Sequence, residues 1–333
     1  MALGARPVLV APDSFKGTLS APQVAEAIGR GLDREGLPAD LAPVADGGEG
    51  TMDVLLGRAG GERLTVRASD PLGREIDADF ALLADRRTAL VEVAQASGLA
   101  LVAPAERDAE AATSAGTGQL IAAAIGAGAT HVLVAAGGSA TTDGGLGAIT
   151  AIAAGGGLRG ARITVLCDVR TPFERAAATF GPQKGADAAA VARLEARLEA
   201  FGLPRGVPMT GAAGGLAGGL WSRLGAELVA GPPYVLAALD FDRRLDASRA
   251  VIVGEGRLDQ TSLQGKIAAE IATRARQIGV PAHAIVGSVA LSRFDARILD
   301  LQEILEATDE AEIEAAAAVL AGVIAGRPLR SRP

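Results

Sequence analysis

The sequence contains little cysteine, aromatic side chain or clustered positive charge. A single cysteine, Cys167, in 333 residues excludes an internal disulfide and favours a reducing compartment. Aromatic residues make up 3% of the chain, too few for the stacking surfaces that single-stranded nucleic acids need. The net charge is −7 and no run of Lys or Arg provides a basic face for a duplex. We therefore expect no nucleic-acid partner.

Long hydrophobic runs are also missing. Residues 8–11 form an apolar run too short for a signal peptide, and the apolar stretch 120–136 falls short of the roughly 20 residues that span a bilayer. We expect a cytoplasmic protein without a membrane partner. Hydrophobic residues nevertheless make up 49% of the chain and charged residues 21%, a composition that excludes a disordered or fibrous protein.

Short apolar segments alternate with alanine-rich segments of helical pattern. The predicted strands cover residues 7–11, 41–44, 89–93, 131–136, 163–167, 250–253 and 283–286, and the predicted helices cover 21–32, 51–58, 116–125, 145–154, 188–200, 266–278 and 310–325. This alternation predicts an α/β fold with parallel sheets. Polar–apolar alternation over 62–79, around a D-P-L-G turn, predicts a hairpin and the start of a second domain near Glu62. In parallel sheets, ligands bind at the carboxyl ends of the strands.

Glycine-rich loops follow several of these strands. Glycine accounts for 44 of the 333 residues, about 13%, against a usual share of roughly 7%. Backbone N–H groups at a helix start form a natural phosphate site, although tight turns are the alternative explanation for any single loop. The candidates for contacts to phosphate or substrate in these loops are Asp13, Ser14, Gly137, Gly138, Ser139, Thr141, Asp143, Gly254, Glu255 and Gly256.

The rarity of lysine singles out three residues. The chain has 32 basic residues but only 3 lysines, and each of them, Lys16, Lys184 and Lys266, lies next to a glycine. A compact ammonium approaches phosphate as a point charge, which the planar guanidinium of arginine cannot replace. Chance retention is the alternative, but the pattern favours phosphate binding.

Carboxylates also follow the predicted strands. The aspartates at predicted strand ends, Asp13, Asp46, Asp143, Asp168 and Asp259, would need cations or Mg²⁺ if they cluster at one sheet edge, whereas Asp46 and Asp143 could instead cap helices. With the lysines, they predict Mg²⁺-dependent phosphoryl transfer to a small hydroxylated acceptor. Standard templates fail: Gln260 and Ile267 break a P-loop pattern.

Five segments resemble the type I glycerate kinase family. They are A-P-D-S-F-K-G-T-L-S-A (11–21), A-D-G-G-E-G-T (45–51), G-G-S-A-T-T-D-G-G (137–145), F-G-P-Q-K-G-A (180–186) and G-E-G-R-L-D-Q-T-S-L-Q-G-K (254–266). The resemblance implies ATP-dependent phosphorylation of D-glycerate, usually at the 2-hydroxyl, with Mg²⁺. It also implies a Rossmann-like domain formed by both chain ends (1–62 and 240–333), an inserted α/β domain (63–239) and an active-site cleft between them.

We expect Lys16, Lys266 and the amides of 137–139 to hold the γ-phosphoryl group, and Lys184 or a loop arginine to bind the glycerate carboxylate. Mg²⁺ would bind two or more of Asp46, Glu49, Asp168 and Asp259, with Asp46, Glu49 and Asp168 as the preferred set. Asp168 or Asp259 would be the base, a choice that the sequence leaves open. It also leaves open the 2- or 3-hydroxyl, the nucleotide preference and a homo-oligomeric state.

The chain departs from the family in the loop 137–145 and after the predicted strand 163–167. Thr142 replaces the usual asparagine, and residues 170–173 replace an Asn-Pro-Leu segment. Two other functions therefore stay open: a kinase or phosphohydrolase for another small hydroxy acid, and a non-catalytic sensor of a nucleotide or phosphate ligand.

Overall fold

The computed structural model describes residues 6–260, 262 and 266–326, except for the side chain of Arg293. Within these residues the strands are β1 (Val8–Pro12), β2 (Ala39–Leu41), β3 (Gly61–Ser69), β4 (Glu75–Leu83), β5 (Thr88–Glu92), β6 (His131–Ala135), β7 (Arg162–Cys167), β8 (Glu227–Ala230), β9 (Ala250–Glu255), β10 (Ala282–Val286) and β11 (Leu301–Glu306). The α-helices are α1 (Ala21–Arg34), α2 (Thr51–Ala59), α3 (Val93–Ser97), α4 (Ala115–Gly126), α5 (Leu146–Ala154), α6 (Ala176–Phe180), α7 (Ala188–Glu199), α8 (Leu216–Leu224), α9 (Gly231–Ala238), α10 (Phe241–Asp246), α11 (Ile267–Ile278), α12 (Arg293–Ile298) and α13 (Glu310–Ile324).

The chain divides into two compact units. The first comprises Met1–Asp46 and Val235–Pro333, and the second comprises Gly47–Tyr234. The sequence placed the changes between domains at 62/63 and 239/240, so the units differ from that expectation chiefly in assigning α2 to the second unit. The reason is packing, because Met52 and Leu55 of α2 form a buried cluster with Ala81, Leu90 and Leu133 of the second sheet.

The first unit contains a sheet whose described strands run in the order β11-β10-β9-β1-β2. All of its pairings are parallel, and Val8 of β1 lies opposite Ala250 of β9. The valine-rich segments of β1 and β9 are buried along their whole length, as expected for strands covered on both faces. This is the Rossmann-like arrangement predicted for the two chain ends.

Helix α1 begins with the predicted capping box. Ser20 and Gln23 exchange the two hydrogen bonds of that motif, and α1 packs against α13 on one side of the sheet. Gly31 permits this close approach, because a Cβ there would lie 2.2 Å from the carbonyl oxygen of Glu314. The guanidinium of Arg30 then donates to the Glu314 carboxylate at 2.9 Å across the same contact.

The second unit contains a mixed sheet with its described strands in the order β3-β4-β5-β6-β7-β8. Strands β3 and β4 form an antiparallel hairpin, in which Gly61 lies opposite Leu83 at one end and Ser69 lies opposite Glu75 at the other. This confirms the hairpin predicted over 62–79. Strands β5 to β8 pair in parallel. The α/β class with parallel sheets is thereby confirmed.

Several short or half-exposed elements were not predicted. They are β8, β11 and the helices α3, α6, α8, α9, α10 and α12. The sequence of β11, L-Q-E-I-L-E, is half-exposed at the sheet edge and lacks the apolar run that marks a buried strand. Among the described residues, no helix has both the length and the apolar character needed to cross a membrane.

Candidate active site

A cavity of about 390 Å³ lies in the first unit, at the ends of its parallel strands. The predicted site residues that line it are Asp13, Ser14, Lys16, Asp46, Glu255, Gly256, Asp259 and Lys266. Gly254 lies near the end of β9, and its carbonyl accepts a hydrogen bond of 2.8 Å from the amide of Asp13. Parallel strands end at the same sheet edge, so β1 and β9 bring both lysine-bearing loops to one cavity.

The cavity also has wall residues that the sequence did not predict. They are Phe15, Thr18, Arg257, Gly287, Ser288 and Thr308. Gly287 and Ser288 follow β10, and Thr308 follows β11, the strand that the sequence missed. The loop after β9 pairs with the loop after β10, since the Leu258 amide donates to the Ser288 carbonyl at 2.9 Å. This pairing holds Arg257 and Asp259 at the cavity.

Three carboxylates in the cavity are buried: Asp13, Asp46 and Glu255. Burial, reinforced by the neighbouring Asp46 charge, raises the pKa of Asp13 to about 8. Burial also raises the pKa of Glu255 to about 7, although Lys266 and a hydrogen bond from Ser262 oppose the shift. A cation bound in the cavity would favour the ionised forms of Asp13 and Glu255, which burial disfavours.

Cationic side chains partly offset these acids. The ammonium of Lys16 lies 3.9 Å from the Asp46 carboxylate while 63% of the Lys16 side chain is exposed. Lys16 is therefore exposed at the cavity while its ammonium stays close to Asp46. Lys266 immediately precedes α11 and acts on the Glu255 charge, which places its positive charge close to that carboxylate.

The second unit presents the glycine-rich loop 137–145 after β6. Its backbone is fixed by the segment after α3, because Leu99 donates to the Gly138 carbonyl at 2.7 Å and Ala140 donates to the Ser97 carbonyl at 2.9 Å. A Cβ at Gly137 would lie 3.6 Å from Asp168 Oδ2, and one at Gly138 would lie 3.8 Å from Glu49 Oε2. Glu49 and Asp168 therefore flank the glycine pair within this unit.

Lys184 does not extend into open space, as the prediction of a substrate contact requires. Only 2% of its surface is exposed, and its Nζ donates to Ser139 Oγ at 2.9 Å and to the Thr141 carbonyl at 2.6 Å. Burial lowers the pKa of Lys184 to about 7, against the opposing charges of Asp143 and Asp168. The geometry thus makes Lys184 a support for the 137–145 loop rather than a side chain that contacts substrate directly.

Asp143 is similarly engaged inside the protein. Its carboxylate accepts hydrogen bonds from the amide and hydroxyl of Ser114 at 2.9 and 2.8 Å, and from the amides of Gly145 and Gly147 at 3.0 and 3.1 Å. The N-cap positions of α4 and α5 lack side-chain caps of their own, and Asp143 serves both helix starts. The sequence allowed Asp143 to be either a ligand contact or a helix cap, and these hydrogen bonds are those of a helix cap.

The sequence analysis missed the loop 209–215, M-T-G-A-A-G-G. Met209 and Ala213 have φ of +70° and +50°, in the left-handed region that is costly for residues with a Cβ. A Cβ at Gly214 would lie 1.8 Å from the carbonyl oxygen of Thr141, so this loop packs tightly against the 137–145 loop. The glycine pairs of 214–215 and 218–219 were the available signal. Glu92, which contacts α2, was also missed and has no such signal.

Mg²⁺ takes oxygen ligands and usually binds through one or two carboxylates together with substrate phosphates and water. Among the side chains described, no group of three or more His, Cys, Asp or Glu residues could hold a metal ion. Asp46, Glu49 and Asp168 have the required oxygen chemistry, and the raised pKa of Asp13 marks a place where added positive charge is favourable. By their chemistry alone, Asp46 in the first unit and Glu49 and Asp168 in the second suit a Mg²⁺ ion that phosphate oxygens also ligate.

Lysines, clustered carboxylates and glycine-rich loops at the ends of parallel strands define an α/β phosphotransferase. Comparison with known proteins gives the same class and makes it specific. Residues 8–156 and 153–320 match the glycerate kinase family, and the chain belongs to that family.

Individual relatives cover most of the chain. A glycerate kinase of Bacillus subtilis (strain 168) is 38% identical over 325 residues, which are 85% of each chain. A glycerate 2-kinase of Escherichia coli (strain K12) is 37% identical over the same length and coverage. A crystal structure assigned to a glycerate kinase 2 of Salmonella typhimurium LT2 has a TM-score of 0.81 and 32% identity, and the match covers 97% of this chain and 99% of that one.

Proposed function

We propose that this enzyme transfers the γ-phosphoryl group of ATP to the 2-hydroxyl of D-glycerate, with Mg²⁺, and forms 2-phosphoglycerate in the cytoplasm. The relatives named glycerate kinase and glycerate 2-kinase support the acceptor and the regiochemistry. The observation that carries the proposal is the cavity that contains Lys16 and Lys266 together with Asp13, Asp46 and Glu255.

In this proposal, Lys16 and Lys266 neutralise charge on the oxygens of the transferred group, since transition-state charge there is what a kinase must stabilise. The proposal also assigns the amides of Gly137, Gly138 and Ser139 as donors to phosphate oxygens. The bond between the 2-oxygen of glycerate and the γ-phosphorus forms while the bond from that phosphorus to the β–γ bridging oxygen breaks. The hydroxyl proton passes to a carboxylate, Asp168 or Asp259, which also orients the acceptor.

Mg²⁺ would be held by carboxylates among Asp46, Glu49, Asp168 and Asp259, and when bound it supplies positive charge to phosphate oxygens. Since Lys184 is engaged with Ser139 and Thr141, the glycerate carboxylate is assigned to a loop arginine. Arg257, which lines the cavity and is mostly exposed, is the first candidate.

The test is product analysis. The purified protein is incubated with Mg-ATP and D-glycerate, and phosphorus NMR distinguishes 2-phosphoglycerate from 3-phosphoglycerate. Tartronate and glycerol are assayed in parallel, and EDTA is added to a matched sample. We expect 2-phosphoglycerate, formed only with glycerate and lost with EDTA. Formation of 3-phosphoglycerate would overturn the regiochemistry, turnover of another acceptor alone would overturn the substrate, and ATP binding without product would favour a sensor.

A further inference from the structure

We infer that Lys184 is a positioning residue that makes the hydroxyl of Ser139 a fixed hydrogen-bond donor for the transferred phosphoryl group. This inference rests on the proposed function and adds a role that Lys184 plays through another side chain. It starts from the donor and acceptor chemistry of the two groups.

The contact between Lys184 and Ser139 fixes which atom donates. A lysine ammonium has three donors and no acceptor, so Ser139 Oγ must accept the hydrogen bond of 2.9 Å from Nζ. The hydroxyl hydrogen of Ser139 cannot point back at the ammonium and is directed away from it. A second ammonium hydrogen is taken by the Thr141 carbonyl at 2.6 Å, which fixes the Nζ position.

The surroundings keep this arrangement rigid. Lys184 ends the turn Pro182–Lys184 and is buried, so neither water nor a ligand competes for its hydrogens. The backbone on either side of Ser139 is bound by Leu99 and Ser97, and Gly214 packs against Thr141 from the other direction. A donor held in this way costs little reorganisation when charge develops on a phosphoryl oxygen.

The position of Ser139 links this donor to the reaction. Ser139 follows the Gly137–Gly138 pair, beside which the carboxylates of Asp168 and Glu49 lie. Burial disfavours the charged form of Lys184, and the Asp143 and Asp168 charges oppose that effect and favour the ammonium. A hydrogen bond from a cation polarises the Ser139 hydroxyl and strengthens it as a donor.

A double-mutant cycle tests the inference with Lys184→Met, Ser139→Ala and the combined variant. We expect each single substitution to lower kcat about tenfold to a hundredfold, with a smaller change in KM for glycerate, because the lost donor acts in the transition state. The combined variant should lose no more than the worse single variant. Ser222→Ala, which removes a hydroxyl from α8, is the matched control and should keep wild-type kinetics.

Multiplied effects in the combined variant would mean that Lys184 and Ser139 act independently, and would overturn the inference. A Ser139→Ala enzyme with wild-type kcat would overturn it as well, even where Lys184→Met does not fold. Failure of the wild-type enzyme to phosphorylate glycerate would instead count against the proposed function. In that case, calorimetry measures the affinity of the wild type and the three variants for Mg-ATP. The inference is supported only if the combined variant loses no more affinity than the worse single variant.

Discussion

The carboxylate of Glu92, at the end of β5, accepts a hydrogen bond of 2.7 Å from the backbone N–H of Met52 in the first turn of α2. The N-cap residue of α2 is Gly50, which has no side chain to cap the helix, so the cap comes from a residue that is distant in sequence. The loop before α2 carries Asp46 and Glu49. Glu92 thus supports a segment with two of the proposed ligands.

Replacing Glu92 tests this support. Glu92→Leu removes the acceptor and leaves a buried N–H unpaired, so we expect a loss of about 2–3 kcal/mol in the free energy of unfolding. Glu92→Gln keeps an acceptor oxygen and should cost less than about 1 kcal/mol at pH 6. Urea denaturation measures both. Asp187→Ala, which removes the exposed cap of α7, is the control and should cost about 1 kcal/mol.

Glu92 is also expected to make the stability of the protein depend on pH. Burial raises the pKa of Glu92 to about 7, so the folded protein binds more protons than the unfolded chain between about pH 4.5 and 7. Stability from this group therefore falls as pH rises through that window. We expect Glu92→Gln to remove a decrease of about 2 kcal/mol between pH 5.0 and 7.5. If the free energy of unfolding of Glu92→Gln had the same pH dependence as that of the wild type, the raised pKa of Glu92 would be contradicted.

His283 changes the stability with pH in the direction opposite to that of Glu92. It is buried in β10 and burial lowers its pKa to about 4, so the unfolded chain binds more protons between about pH 4 and 6.5. Stability from this group is lost as pH falls through that window. His283→Leu should remove a loss of about 2 kcal/mol between pH 7.5 and 5.0, measured by urea denaturation. The other histidine, in a His131→Gln variant, is the comparison.

Substitution of Asp143 tests whether this residue caps helices or binds substrate. Because its carboxylate accepts four hydrogen bonds at the starts of α4 and α5, Asp143→Asn should lower the free energy of unfolding by about 2–4 kcal/mol. A substitution that left stability unchanged and only raised KM would instead assign Asp143 to substrate binding. Thermal denaturation and steady-state kinetics on the same preparation separate the two results.

Lys16 and Lys266 are the most direct test of the cavity. Lys16→Ala and Lys266→Ala should each lower kcat at least about a hundredfold, since each removes a preorganised positive charge from the transferred group. The fold should be retained, because most of Lys16 is exposed and Lys266 immediately precedes α11. Circular dichroism checks the fold. Arg67→Ala on β3, an exposed cation outside the cavity, should keep full activity. Wild-type rates in both lysine variants would refute their assignment.

Much of the first unit could be predicted because its strands are short, apolar and followed by glycine. Those signals placed Asp13, Lys16 and Glu255 at or after strand ends, and in the structure these residues line one cavity. The strand β11 escaped because a half-exposed edge strand has no apolar run. Nothing in T-A-L-V-E distinguishes Glu92 from a solvated glutamate.

Burial depends on contacts that sequence patterns do not specify. The rarity of lysine drew attention to Lys184, but its hydrogen-bond partners come from a loop more than 40 residues earlier. Whether a charged side chain faces a ligand or its own backbone is decided by such distant contacts. The capping role of Asp143 is the same case, because Ser114 is not identifiable as its partner from spacing alone.

The pairing of β1 with β9 constrains the order in which the chain can fold during synthesis. Val8 lies opposite Ala250, so the ribosome must deliver the whole segment Gly47–Tyr234 before the central pair of the first sheet can form. The inserted unit is continuous and can fold as it emerges, whereas the N-terminal strand must wait without its neighbour. A chain released early would therefore expose an unpaired, fully apolar strand.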